Sequence, residues 1–414
     1  MSSSSSSSSP PLAEPVNTTT PDPSKRLVAL DAYRGLIMVT LAAGGFGLME
    51  TARNLGYWPQ GDGSFWGTLW NYLAFHTQHP PWISQFRVVG VSYWDLIQPA
   101  FMFMVGVAIP FSYAKRRARG DSTGRLLGHA LWRSLVLVAL GVFLQTKNTG
   151  LEPSGRLLVN VLTQIGLGYF FVVLLYFAGP LWQVLALVAI LGGYGWAMLA
   201  WPVSEPLPAE AAASIENLPV KNEVALHFAK GVNLPESIDH RLLGAPNPGG
   251  YATLNFVPSM GTMLLGLLAG TLVRSRYSNR RKLLLLLLGA ALCLAAGLGA
   301  GYTVCPIIKR IWTPSFTLFS GAWVLLFLAA FFLITEVLQW RRWAYPLVVV
   351  GANSLAMYMM GQLMHSWVTR RWEVYLGAEA FAGTYGPLVR SLVVLGTLWF
   401  FCWYLYRHKL FFRV

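Results

Sequence analysis

Stretches of roughly 20 mostly apolar residues recur along this 414-residue chain, and that is the length an α-helix needs to cross the hydrocarbon core of a bilayer. They fall at about 28–48, 94–115, 128–147, 157–178, 180–202, 252–274, 282–302, 315–336, 344–366 and 383–406. Hydrophobic residues make up 55% of the chain and charged residues 12%, against about 45–50% and about 25% in an ordinary soluble domain. A water-soluble protein of this size could not hide so much apolar surface, whereas lipid leaves it nothing to hide. The expected fold is therefore an all-α integral membrane bundle of about ten transmembrane helices with two long outer loops.

Residues 1–25 open with eight consecutive serines and continue Pro/Thr-rich, so they read as a disordered tail ahead of one membrane domain over 26–414. An even number of spans puts both termini on one side. That side carries 17 Lys/Arg against four acids, including Lys115, Arg116, Arg117, Arg119 and Arg125, then Arg274, Arg276, Arg280, Arg281 and Lys282; the other carries 11 of each sign. The positive-inside rule then makes the termini cytoplasmic. It also puts the long connections 49–93 and 203–251 outside, where groups that meet an outside substrate belong. Within the first connection, Phe65, Trp66, Leu69, Leu73 and His76 share a face of a helix lying in the interface. The net charge of +14 sits in short clusters between apolar runs, which orients a membrane protein and does not form a nucleic-acid-binding stripe. Cys293 and Cys402 lie inside apolar runs and Cys305 in a loop, so neither a disulfide framework nor a metal-ligand spacing is implied.

Ionisable residues at the ends of the spans are the candidates for chemistry. Asp31 and Arg34, three apart, share one face of the first helix and are either a functional pair or a structural one that orients the helix. The outer segment His76-Thr77-Gln78-His79-Pro80-Pro81-Trp82 runs into Tyr93-Trp94-Asp95-Leu96. An imidazole at the membrane surface can accept a proton from an attacking amine, and a carboxylate can hold its tautomer. Asp95 serves equally as the N-cap of the second span. His76 continues the face of the interface helix, which makes His79 the preferred base.

These segments resemble the heparan-alpha-glucosaminide N-acetyltransferase family of transmembrane acyltransferases. Arg26, Leu27, Asp31, Ala32, Tyr33, Arg34, Gly35 and Leu36 are similar to its opening motif, His79 with Trp82 to its H-x-x-W, and Asp95-Leu96 through Gly106 to its D-L-x-x-P-x-F-x-F-x-x-G. Ile238-Asp239-His240-Arg241-Leu242-Leu243-Gly244, Val257-Pro258-Ser259, the loop from Pro306 through Lys309 to Trp312-Thr313, and Gly351-Ala352-Asn353-Ser354 continue the likeness in order. The resemblance implies an acyltransferase that takes acetyl-CoA, its only cofactor-like co-substrate, from the cytosolic side. The thioester reaches through the bundle, and a histidine, here His79, assists transfer to an amino sugar or glycan outside. His79 and Asp95 become the catalytic candidates. Asp31, Arg34, Trp82, Asp239, Arg241, Lys309, Trp312, Asn353 and Ser354 become the donor- and substrate-binding candidates.

Base catalysis and a transient acyl-histidine both stay open. Lys309 and Trp312 either stabilise the thioester oxyanion or line the acceptor pocket, or are a loop charge and an interface-belt residue. Asn353 and Ser354 face the bundle interior whether they bind donor or join helices. Three positions depart from the family: Gly45 where its animal lysosomal members carry a helper asparagine, Thr163-Gln164 for its Q-R pair, and Ile308 for the Asn before the loop lysine. A different acceptor, a rearranged site or a catalytically silent member all fit these departures. From another class, a transporter for a small polar solute would use glycine-broken spans at 252–274 and 344–366, and a nonenzymatic membrane scaffold is the third alternative. The expected setting is the bacterial inner membrane, with the bilayer as partner, a homodimer among the open assemblies and no nucleic acid.

Overall fold

The computed structural model describes residues 27–79, 82, 91–151, 156–203, 205–216, 218, 220, 222–244, 247 and 249–412. The expected serine-rich tail, and Pro80 and Pro81 of the histidine motif, lie outside them. The described residues form α-helices and short helical turns with no strand, as a bilayer demands of a spanning chain that must satisfy its backbone internally. In chain order the helices are α1 Val28–Ala42, α2 Leu48–Asn54, α3 Phe65–His76, α4 Tyr93–Ala118, α5 Thr123–Thr146, α6 Val161–Ala178, α7 Pro180–Leu199 and α8 Ala209–Ile215. They continue with α9 Asn222–Leu226, α10 Leu234–Leu243, α11 Phe256–Arg274, α12 Asn279–Thr303, α13 Pro314–Phe332, α14 Tyr345–Ala352, α15 Ser354–Leu376 and α16 Gly386–Arg407.

Eight of these helices are long and apolar enough to cross a membrane, and two bent pairs raise the number to ten. The fold is thus the all-α polytopic bundle expected from the apolar stretches. Ser92, Ser122, Asn160, Ser278 and Thr313 cap α4, α5, α6, α12 and α13, each side chain accepting an N–H of the first turn. The polar breaks in the sequence therefore set where each helix starts.

Helices α4, α11 and α13 are the most buried and form the inner layer, while α5, α7, α12 and α16 turn most of their surface outward. Trp132, Leu181, Leu284, Leu292 and Phe400 are exposed on that periphery, where lipid is the natural neighbour. Lipid gives helices no hydrophobic reason to associate, so close backbone packing has to hold them together. Small residues supply it. A β-carbon added at Gly106 of α4 would stand 2.0 Å from Met263 O, one at Gly266 of α11 2.0 Å from Phe103 O, and one at Gly270 2.4 Å from Val107 O. The glycines of 252–274 are therefore contact points of a continuous α11 and not the breaks a carrier would use there.

The two bends lie in the first and ninth expected spans. Between α1 and α2, Gly44, Gly45, Phe46 and Gly47 all have positive φ, a left-handed turn that glycine alone adopts freely, and the axis bends by 50°. Between α14 and α15 the break falls at Asn353 and the bend is 69°. The Asn353 carboxamide accepts the Phe412 N–H at 3.2 Å, tying the break to the segment after α16. Beyond the spans, α3 is the helix expected over Phe65–His76, with Phe65 and Trp66 exposed. The α8–α10 segment packs over the end of α7 around Phe228, Leu234, Tyr194, Met198, Ile308 and Ile311.

Candidate functional site

Three contacts bracket the His79 turn and fix it to the start of α4. The Ser92 hydroxyl donates to Gln78 O at 2.8 Å while accepting the Asp95 N–H at 3.2 Å. His76 Nδ1 accepts the Tyr93 N–H at 3.0 Å. Ser92, not Asp95, is the N-cap, which leaves the Asp95 carboxylate free to reach sideways from the first turn, where the helix dipole favours it. Lys309 is delivered from the far side of the sequence by a tight turn. Thr313 Oγ1 accepts the Ile308 N–H at 3.0 Å and donates to Pro306 O at 2.8 Å, and Trp312, its N–H bonded to Lys309 O, adopts φ +46°. A bulky residue at positive φ is strained, and such strain is held only where surrounding contacts impose it.

The result is a compact group of charges. His79 Nδ1 lies 2.8 Å from Asp95 Oδ1, and Lys309 Nζ lies 3.0 Å from the same oxygen and 3.0 Å from Nδ1. A carboxylate oxygen only accepts, so Asp95 takes a proton from Lys309 and, in the Nδ1–H tautomer, one from His79 as well; a bare Nδ1 would accept from Lys309 instead. The Nδ1–H tautomer leaves the Nε2 lone pair as the free face of the ring. Asp95 and Lys309 side chains are 3% and 5% exposed, whereas His79 is 41% exposed: two buried charges compensate one another beneath an accessible imidazole. Burial lowers the His79 pKa below its ordinary value; the bond to Asp95 opposes this, and the charges of Lys309 and Arg310 add to the lowering. A neutral, proton-accepting ring is the favoured state near pH 7.

His79 and Lys309 open onto a cavity of about 240 Å³ between the helices. Met38 and Leu41 of α1, Trp94, Ile97, Gln98 and Phe101 of α4, and Tyr358 and Gln362 of α15 supply most of its wall. Tyr251 lines it as well, its ring 5.8 Å from both Lys309 Nζ and the Arg310 guanidinium. The cavity lies at the ends of α4 and α11 opposite their basic clusters. Of the residues singled out from sequence, His79, Asp95 and Lys309 come together here. Gly45 sits beside them: a β-carbon there would be 3.0 Å from Thr77 Cβ and 3.4 Å from the Trp94 ring.

The remaining candidates are elsewhere. Trp82 is buried against the α8–α10 layer and donates Nε1–H to Phe228 O at 3.0 Å. Asp239 accepts the Thr253 N–H at 2.9 Å, with burial raising its pKa against that bond. The Arg241 guanidinium covers the Trp201 ring at 5.0 Å. Trp312 packs edge-on to Phe316 and acts on the site through the turn that carries Lys309. Asn353 and Ser354 form the α14–α15 break. Asp31 and Arg34 pair at 3.9 Å near the N-terminal end of α1, and none of these lines the cavity. Gln98, Tyr251, Tyr358 and Gln362 were not singled out, although Gln98 stands three residues from Asp95 and Gln362 four from Tyr358, spacings that share a helix face.

Fold and site together define an integral membrane helix bundle with a histidine–aspartate–lysine group at the mouth of an intramembrane cavity. No family model matches the chain. Heparan-alpha-glucosaminide N-acetyltransferase from Homo sapiens is 22% identical over 444 aligned positions, covering 94% of this chain and 60% of that protein. The Mus musculus protein of the same name is 28% identical over 177 residues, 41% of this chain and 23% of its own length. The chain thus spans 60% or less of these relatives and is distantly related to them.

Proposed function

We propose that the chain is a membrane acyltransferase that moves an acetyl or other short acyl group from cytosolic acyl-CoA to an amino sugar or glycan on the outer face of a bacterial inner membrane, its termini cytoplasmic. The observation that carries this proposal is the contact of His79 with both Asp95 and Lys309 at the mouth of the cavity; the distant acetyltransferase relationship supports it. In the proposed step, the acceptor nitrogen attacks the thioester carbonyl carbon and a C–N bond forms. The nitrogen loses its proton to His79 Nε2, the C–S bond breaks, and the departing CoA sulfur takes up that proton. Asp95 stabilises the imidazolium formed on the way. Lys309, whose ammonium has protons beyond the one given to Asp95, can donate to the carbonyl oxygen as its charge grows.

The test is direct. Purified protein in lipid nanodiscs, given radiolabelled acetyl-CoA and a panel of amino sugars, should release CoA and label one of the sugars. No CoA release with any acceptor would reject the proposal and return the chain to the carrier and silent-member readings. For orientation, a cysteine at exposed Glu223 should label in intact cells and one at exposed Arg276 only after lysis, the three native thiols being buried. The reverse pattern would overturn the cytoplasmic donor side.

A further inference from the structure

Two polar side chains of the cavity wall have a hydrogen-bonding sense that the backbone dictates. Ala252 O can only accept, so Gln164 meets it through Nε2, at 3.3 Å. That turns Gln164 Oε1 toward Gln98, which answers with Nε2 at 3.2 Å. Gln98 Oε1 accepts from none of the described residues and is not sealed in the interior, so its lone pairs, with the second Nε2–H, are what Gln98 has left for the cavity it lines. Tyr358 reaches the same sense by another route. Asn160 caps α6 by accepting the Leu162 N–H on Oδ1 at 2.9 Å; the Tyr358 hydroxyl, 3.4 Å from that oxygen, therefore donates to it. Its one proton is committed, and lone pairs are what it has left.

We infer that Gln98 and Tyr358 form an acceptor pair that selects a ligand carrying neutral N–H or O–H donors, an amide or a hydroxyl, at this position. The pair is a specificity device apart from the charged group: His79 and Lys309 present a base and a cation at the mouth, and Gln98 and Tyr358 present oxygens on the wall. Gln164, buried at 1% exposure, acts as a positioning residue, because without its bond to Ala252 O the Gln98 amide could turn its NH₂ to the ligand instead. A ligand group without a donor placed against these two oxygens would face acceptor against acceptor, and a buried acceptor left without a donor is costly.

The choice of probes rests on the acyltransferase proposal, under which the donors are either the amide N–H groups of the thioester's pantetheine arm or the hydroxyls of the sugar. Equilibrium binding of tritiated acetyl-CoA and of glucosamine to the nanodisc protein separates these sources. Gln98→Met should weaken one of the two ligands about 3–10-fold, the worth of a neutral hydrogen bond, and raise its KM with kcat nearly unchanged. Methylating each pantetheine amide in turn, or removing each sugar hydroxyl, should reproduce that loss in the wild-type protein and have no effect in Gln98→Met. Gln164→Met should move the same ligand by a smaller factor, and covers the case in which Gln98→Met does not fold. Variants that bind both ligands as the wild type does, or methylation losses that persist in Gln98→Met, would overturn the pair. If the wild-type protein binds neither acyl-CoA nor amino sugar, the acyltransferase proposal fails separately. The pair is then read by saturation-transfer NMR with acetamide against N,N-dimethylacetamide: a preference for acetamide lost in Gln98→Met upholds it, and equal transfer overturns it.

Discussion

Two groups of buried charge occupy opposite ends of the bundle. At one end Asp95, Lys309 and His79 meet at about 3 Å beside the cavity. At the other, the Glu336 carboxylate takes the Arg341 guanidinium at 2.9 Å and the Ala29 N–H at 3.4 Å, with Asp31 and Arg34 paired at 3.9 Å one turn further along α1. Both satisfy the rule that a charge in the membrane interior must be compensated. The Glu336 group spends its hydrogen-bonding capacity on backbone and neighbouring side chains, tying the start of α1 to the end of α13. In the Asp95 group one member, His79, keeps an accessible lone pair. Buried charge by itself therefore marks a fastening as readily as a site; an unspent group facing a cavity separates the two.

That contrast can be broken by substitution. The largest effect is expected for His79→Ala, which should lower acyl transfer roughly 10²–10⁴-fold, the range for a positioned base, with acyl-CoA binding nearly intact; His76→Ala should cost far less in the same CoA-release assay. Full turnover in His79→Ala would place the site with the fastenings. Lys309→Met leaves the Asp95 carboxylate buried without its cation and should destabilise the protein by about 3–5 kcal/mol, read as a fall in thermal unfolding temperature. Adding Asp95→Asn should recover most of the stability and none of the activity. At the opposite end, Asp31→Asn with Arg34→Gln should cost less stability than the two single changes together, by about 0.5–3 kcal/mol, and leave the KM of acyl-CoA unmoved.

The smallest effect is on pH dependence. As the proposed base, His79 has to be unprotonated, and its pKa lies below the ordinary imidazole value because burial, Lys309 and Arg310 outweigh Asp95. The kcat/KM profile should therefore stay flat as pH falls through the usual imidazole range and drop only below it. Replacing Lys309 removes one lowering charge and should move the inflection upward. An inflection unmoved in Lys309→Met would separate the lysine from the histidine electrostatically, whatever its effect on stability.

Much of the bundle was legible because the length of an apolar run is a local property: each expected span has its helix, and Ser92, Ser122 and Thr313 mark starts that a reader can find. The bends were not. Gly44, Gly45 and Gly47 sit within a stretch apolar enough to pass for one span, and at Asn353 the apolar signal continues on both sides of the break. Inner and outer helices were equally opaque, since a helix facing lipid and one facing its neighbours draw on the same side chains. At the site, His79 and Asp95 were readable through their short separation, and Lys309 through family resemblance alone, because 230 positions part it from His79. Gln98 and Tyr358 went unseen because a single polar residue in an apolar run says nothing about what lies across from it. Their meaning comes from Ala252 O and Asn160, which only the folded chain brings near.

The glycine seam between α4 and α11 bears on how the cavity could change shape. With backbones in near contact at Gly106, Gly266 and Gly270, those two helices have no slack to slide or part, so the wall carrying Trp94, Gln98 and Phe101 is stiff. The facing wall is built from α1 and α15, and each of these adjoins a bend, at the left-handed glycine turn and at Asn353. Yet α1 is itself held to α14 by an equally close approach, a β-carbon at Gly35 standing 1.9 Å from Leu347 O and one at Gly351 1.8 Å from Asp31 O. The facing wall therefore divides at the Asn353 break: α1 is clamped through its glycines as α4 is, and α15, beyond the break, is the wall helix on which such a clamp is absent among the described residues.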